Sequence, residues 1–233
     1  MNNFSYADDL VLICPSASAF NDLLRICEKF GQANYILYNV TKTECMCIPP
    51  KNAKSMKPPD IILYDSKLKY VNNFKYLGHI MNNVFTDDDD IAKELRNLYA
   101  RGNTLITKFK SMCPEVKISL FKSYCYPLYC ASQWSCFKVG SGRRLRVGYN
   151  AVLRRLMGVK LWDPEQERLE SMSALFVTLG LRSLPELLRY ASYSCMERIR
   201  TSENTLLQCL QHSEARLASR QWTHWEKLLL MQY

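Results

Sequence analysis

The sequence predicts an α+β protein in which short antiparallel hairpins with one helix come first and helices follow. Three observations carry this. Up to about residue 84 the apolar residues alternate or run in short bursts between turn residues, as strands do. From Thr86-Asp87-Asp88-Asp89-Asp90 the apolar spacing becomes helical with Ile91, Leu95, Leu98, Leu105 and Ile106, and it stays helical. The charge also changes there: residues 1 to 92 carry 9 Lys+Arg against 11 Asp+Glu, 93 to 160 carry 14 against 2, and 161 to 233 carry 8 against 9. Three regions are therefore expected, at 1–84, 85–160 and 161–233. The 233 residues, 48% of them hydrophobic, are enough for one or two packed domains.

Taken in order, "NNFSYADDLVLI" (2 to 13) reads as a strand, an acidic turn and a returning strand. Pro15 ends it, Ser16 and Ser18 offer helix caps, and Phe20, Leu23, Leu24, Cys27 and Phe30 sit at helical spacing up to Gly31. Residues 35 to 48 favour strand, interrupted by the polar "NVTKTE", and a Pro- and Lys-containing loop follows from Pro49 to Pro59. "IILYDSKLKYV" (61 to 71) predicts a hairpin turning at Asp65-Ser66, and "FKYLGHIM" (74 to 81) a further strand. The aspartate run at 87 to 90 suits a helix N-terminus, where the macrodipole favours negative charge. Further helices are expected near 115–132, 143–157, 164–178, 184–200 and 203–231, with Asp163-Pro164 and Ser183-Leu184-Pro185-Glu186 as start signals.

Several function classes fall away. No apolar run approaches the ~18 residues that span a bilayer, and a secretion signal is absent, so an intracellular protein of nucleus or cytoplasm is expected, with no membrane partner. Ten cysteines lie mostly in apolar runs without a CxxC pair, which predicts buried, reduced thiols. Cys209-x-x-His212 lacks a second ligand pair, so zinc is not expected.

Two features bear chemistry. Asp8 and Asp9, adjacent at a hairpin tip, offer hard oxygen ligands of the kind that hold Mg²⁺ for phosphoryl transfer, although Asp is also an ordinary turn residue. The basic middle region interleaves Tyr99, Phe109, Phe121, Tyr124, Tyr126, Tyr129 and Trp134 with its cations. That composition fits either a surface tracking a phosphate backbone or a solvated basic helix face over an aromatic core.

The order of motifs discriminates further. "SYADDLVLI" at 5 to 13, the helix to Gly31, "YNVTKTECMCI" at 38 to 48, "FKYLGHIM" at 74 to 81, and then the acid-capped basic helices together resemble the reverse transcriptases of non-LTR (LINE-type) retrotransposons, as far as about residue 160. The resemblance implies that 1–84 is part of a polymerase palm with primer-grip-like strands, 85–160 a basic helical thumb, and 161–233 a helical region without an assigned role. It implies that Asp8 and Asp9 are the metal-binding carboxylates, with Tyr6 near the primer end. Lys42 would approach the incoming nucleotide's phosphates as acid or cation. Phe74, Tyr76 and Gly78 would grip the primer. Lys93, Arg96, Arg101, Lys108, Lys110, Arg143, Arg144, Arg146, Arg154 and Arg155 would meet the phosphates of an RNA–DNA duplex. The implied partners are an RNA template, a DNA primer and deoxynucleoside triphosphates, with Mg²⁺ as cofactor. The family's further metal-binding aspartate and its fingers precede the Tyr-Ala-Asp-Asp turn, so the chain is expected to be a C-terminal part of such an enzyme and inactive by itself. The alternative expectation is a non-catalytic nucleic-acid-binding module derived from the thumb.

Overall fold

The computed structural model describes residues 3–50, 58–159, 162–163, 168–169 and 171–230. The protein is α+β: short strand pairs and one helix come first, then a run of helices. It divides into two compact units, residues 1–76 with 81–84, and residues 77–80 with 85–233.

In the first unit, β1 (Asn3–Tyr6) pairs antiparallel with β2 (Asp9–Leu12), Tyr6 opposite Asp9. The two-residue turn between them is Ala7-Asp8, with Ala7 in the left-handed region at φ 51°. In α1 (Ala17–Asn34) the Ser16 hydroxyl accepts the Ala19 N–H at 3.2 Å, the expected N-cap. The helix runs past Gly31, where a Cβ would stand 2.5 Å from the Ile36 carbonyl oxygen. Gly31 thus permits a close backbone approach and does not end the helix.

Of the strand expected over 35 to 48, only β3 (Glu44–Cys45) forms. Asn39 explains the shortfall. Its carbonyl accepts the N–H groups of Lys42 and Thr43, and its side-chain oxygen accepts the Thr41 hydroxyl and the Lys42 N–H, so the backbone closes into a turn. β4 (Ile62–Leu63) pairs with β5 (Ser66–Lys67), turning at Tyr64-Asp65, one residue earlier than expected. Both turn residues have positive φ, 46° and 59°, and the Glu28 carboxylate accepts the Tyr64 N–H at 2.6 Å. β6 (Lys69–Tyr70) pairs parallel with β3. Leu24, Cys45, Ile61, Leu63 and Leu68 make a small core, with Leu12, Phe20 and Tyr70 around it.

Residues 74 to 81 form a hairpin and not one strand: β7 (Asn73–Tyr76) pairs with β8 (His79–Asn82). Leu77 and Gly78 turn the chain at φ 44° and 83°. A leucine is a poor turn signal in sequence, which hides this hairpin from a pattern reading.

In the second unit, α2 (Asp88–Lys108) starts inside the aspartate run. It packs along α4 (Val139–Met157), and small residues set the distance: a Cβ on Gly102 would meet Val152 Cγ1 at 2.5 Å, and one on Gly148 would meet Leu95 Cδ1 at 2.4 Å. α3 (Pro114–Cys125) stops well before 132, because Pro127 has no backbone N–H to donate and its ring clashes with the carbonyl four residues back. At the centre of the core Tyr149 stacks on Phe176 and meets Phe121 at a tilt, with Leu98, Leu153 and Trp134 around them.

The helix expected from 164 is shorter. β9 (Trp162–Asp163) pairs with β10 (Arg168–Leu169), α5 (Met172–Thr178) follows, and Pro164 lies outside the described residues. α6 (Leu184–Arg200) begins with the predicted capping box, the Glu186 carboxylate accepting the Ser183 N–H at 2.7 Å. The single tail helix expected over 203–231 is three: α7 (Thr205–His212), α8 (Ala215–Ala218) and α9 (Arg220–Leu230). Trp225 Nε1 and Gln221 Nε2 both donate to the Ser132 carbonyl, at 2.6 and 2.9 Å. All ten cysteines are free, and no helix among the described residues is long and apolar enough to cross a membrane.

Candidate functional site

The carboxylate pair sits on the β1–β2 turn. Asp8 is the second turn residue and Asp9 begins β2. Ala7 at positive φ carries a Cβ where glycine is the usual occupant, a strain of about 1–3 kcal/mol. Asp8 and Asp9 are exposed, as are Phe4, Leu10 and Tyr6, the last at 64%. Among the described residues no group of three or more His, Cys, Asp or Glu comes together as a metal cage. Asp8 and Asp9 therefore fit Mg²⁺ by donor chemistry as part of a site, not as a complete one.

Lys42 lies in the Asn39 turn, exposed, with no carboxylate partner among the described residues. Phe74 and Tyr76 are half-buried on β7. Gly78 occupies the hairpin tip, in the second unit, with its carbonyl taking the Lys93 ammonium at 2.6 Å. A Cβ there would stand 2.8 Å from the Tyr129 ring, which makes glycine a packing requirement as well as a turn residue.

The basic residues divide into two sets. Arg96, Lys108, Lys110, Arg143, Arg144, Arg146 and Arg155 are exposed. Arg143, Arg144 and Arg146 are grouped on the first half of α4, where Arg144 donates to Ser141 at 3.3 Å. Lys93 and Arg101 face inward instead. Lys93 Nζ lies 2.5 Å from Asp90 Oδ1, and Arg101 Nη2 lies 3.6 Å from Glu94 Oε2. They sit on the same stripe of α2 as Asp90 and Glu94, three and seven residues on, so the helical repeat brings these charges together.

Asp90 is fully buried, 0% exposed, and in sequence it is legible only as part of an acidic helix start. It accepts the Ile80 N–H at 3.0 Å and Trp134 Nε1 at 2.8 Å. His79 Nδ1 lies 3.1 Å from its other oxygen, within contact range but off the angle for a hydrogen bond. Burial alone would raise the Asp90 carboxyl, but His79, Lys93, Trp134 and the Ile80 N–H outweigh it and hold the group well below the usual carboxylate range. Asp87 and Asp88 are likewise occupied: Asp87 accepts the N–H groups of Ser135 and Cys136, both at 2.8 Å, and Asp88 that of Lys138 at 3.0 Å. The aspartate run thus fastens residues 134–138 to α2. That segment lies more than forty residues away in sequence, so no local signal marks the pairing.

Burial pushes Cys125 and Cys130 up to about 11.

No family model matches the chain, and neither curated proteins nor solved structures give a match.

Proposed function

We propose that the chain is the C-terminal part of an RNA-directed DNA polymerase of the non-LTR retrotransposon type, residues 1–84 deriving from the palm and 85–160 from the thumb. The observation that carries this reading is the strained Ala7 turn that presents Asp8 and Asp9 at the tip of an exposed antiparallel hairpin. Adjacent carboxylates at such a tip are what two-metal nucleotidyl transfer uses to hold Mg²⁺ against a primer end and a triphosphate. Tyr6, opposite Asp9 in the hairpin, and Lys42, exposed in its own turn, are the side chains this reading assigns to the primer and to the nucleotide phosphates. Bound Mg²⁺ would supply the Lewis acidity, and this chain would contribute two carboxylates to its coordination.

Because the described residues bring no third acidic ligand to the pair, the 233 residues alone are not expected to polymerise. The test is Mg²⁺-dependent primer extension on an RNA template, using this chain and a form continued upstream from its gene. Extension by the longer form, abolished by Asp8→Ala, is the expected result. Extension that survives both Asp8→Ala and Asp9→Ala would sink the reading.

The exposed arginines of α4 favour a second reading, a nucleic-acid-binding module without catalysis. Three guanidiniums within four residues, unaccompanied by an acid on that helix, suit phosphate contacts that are independent of sequence. Affinity for an RNA–DNA duplex should then fall with salt. Arg143→Ala, Arg144→Ala and Arg146→Ala together should flatten that dependence, by about one unit of slope for each phosphate no longer neutralised. A salt-insensitive affinity contradicts it.

A further inference from the structure

The second unit contains a cavity of about 690 Å³, within the range that holds small ligands, between α6 and the segment that follows α3. Three arginines reach its wall: Arg101 from α2, Arg182 just before α6, and Arg198 from α6. Tyr129 and Tyr190 line it as half-exposed rings, and Leu187 is among its apolar residues. Among the described residues no acidic side chain lines it. A cation is therefore an unsuitable occupant and an anion a suitable one.

Two of the arginines are held ready for a partner that the described residues do not supply. Arg182 is clamped through its backbone: its N–H donates to the Tyr126 hydroxyl at 2.6 Å, and its carbonyl accepts the Tyr149 hydroxyl at 2.9 Å. Two tyrosine hydroxyls, one of them in the core, thus fix the root of an exposed side chain. Its guanidinium lies over the Tyr190 ring, 4.3 Å from the centroid. Arg198 is steered along α6 by donation from Nε to the Ser194 carbonyl at 3.2 Å. Among the described residues neither Arg182 nor Arg198 has a carboxylate partner. Arg101 differs: Glu94 Oε2, 3.6 Å from its Nη2, already balances its charge, so it lines the wall without being free for a ligand.

Preorganised guanidiniums suit phosphate oxygens, and tyrosine rings beside them suit the face of a base. We propose that this cavity binds a nucleotide unit, with its phosphate on Arg182 or Arg198 and its base against Tyr129 or Tyr190. The unit can come from a single strand or from a free nucleotide, which share this chemistry. The site is separate from the Asp8-Asp9 hairpin and from the α4 arginines, and it stands whether or not the chain derives from a polymerase.

The test uses the full chain and a fluorescein-labelled oligo(U) of about eight nucleotides, with UMP, inorganic phosphate and tetraglutamate as competitors. Oligo(U) should bind, UMP should displace it, and Arg182→Ala, Arg198→Ala and Tyr190→Ala should each weaken binding about tenfold. Oligo(U) binding far tighter than UMP identifies a strand site, and equal affinity identifies a free-nucleotide site. Each supports the proposal. Arg182, Arg198 and Tyr190 are exposed, so tryptophan fluorescence should show all three variants folded. Should Arg182→Ala lose the fold, Arg198→Ala decides alone. Displacement by phosphate or by tetraglutamate as effective as by UMP overturns the proposal, as does unchanged affinity in the folded variants. Arg143→Ala serves as the control: it should leave UMP displacement unaltered, so failure of this site and failure of the duplex surface are told apart.

Discussion

Among the described residues the first unit gathers its core from five buried residues, Leu24, Cys45, Ile61, Leu63 and Leu68, while the second gathers seventeen. The first is built from one helix and strand pairs of two to four residues, and the second from helices as long as 21. Hairpins this short are marginal in water without a further layer, and small cores leave little to offset chain entropy. Helices with local contacts and a large apolar centre do not share that weakness. The second unit also fully buries charge, in the Asp90 and Glu94 network, where among the described residues the first has no fully buried acid. Their behaviour under mutation should therefore differ in kind.

The largest effect is expected at Asp90. Replacing it by Ala leaves Trp134 Nε1 and the Ile80 N–H without their acceptor and Lys93 without its carboxylate, at a loss of about 3–5 kcal/mol. All four tryptophans fall within the second unit, so their fluorescence in a urea titration reads that loss directly. Acid should produce a graded form of the same change. The Asp90 carboxyl is lowered from its ordinary 3.8, so the stability it contributes is complete above roughly pH 5 and is lost as pH falls through 3.8 towards its folded value. An Asp90→Asn variant that titrates like the parent below pH 4 would contradict this.

Leu63→Ala comes next, at about 2–4 kcal/mol, because Leu63 is only 2% exposed in a five-residue cluster. Amide exchange in 61–70 should accelerate strongly while the tryptophan transition stays in place. A joint shift of both would mean that the two units unfold together. Gly102→Ala should lower the tryptophan transition by about 1–3 kcal/mol, since its Cβ would stand 2.5 Å from Val152 Cγ1. Val152→Ala added to it should recover part of that loss. Glu186→Ala, which removes the return half of the α6 capping box, should cost about 1 kcal/mol by the same measurement.

Legibility follows locality. The Ser16 cap of α1, the acidic start of α2 and the capping box of α6 are readable because each lies within four residues of what it caps. Turns are less so: Leu77 and Tyr64 take positive φ although neither is a customary turn residue. Gly31 reads as a stop because a glycine needed for close approach looks the same in sequence as one needed for a cap. Pro127 is the signal that shortens the expected 115–132 helix, through its missing N–H and the clash of its ring with the preceding turn.

The candidate sites follow the same division. Asp8-Asp9 and the α4 arginines lie close together in the chain, so composition and order bring them out without a structure. Arg101, Arg182 and Arg198 are separated by 81 and 16 positions, and nothing in their neighbourhoods marks them as a set. Lys93 and Arg101 likewise count as basic residues in sequence, yet the Asp90 and Glu94 carboxylates hold them inward.

By itself the sequence determined the α+β class, the change to helix near residue 86, the basic middle region and the carboxylate pair, because periodicity, capping and charge act over a few residues. Tertiary structure alone decided which cations stay available to a ligand, which aspartates fasten distant backbone, and which arginines line one cavity. Those outcomes depend on which side chains are buried together, and burial is a property of the packed chain.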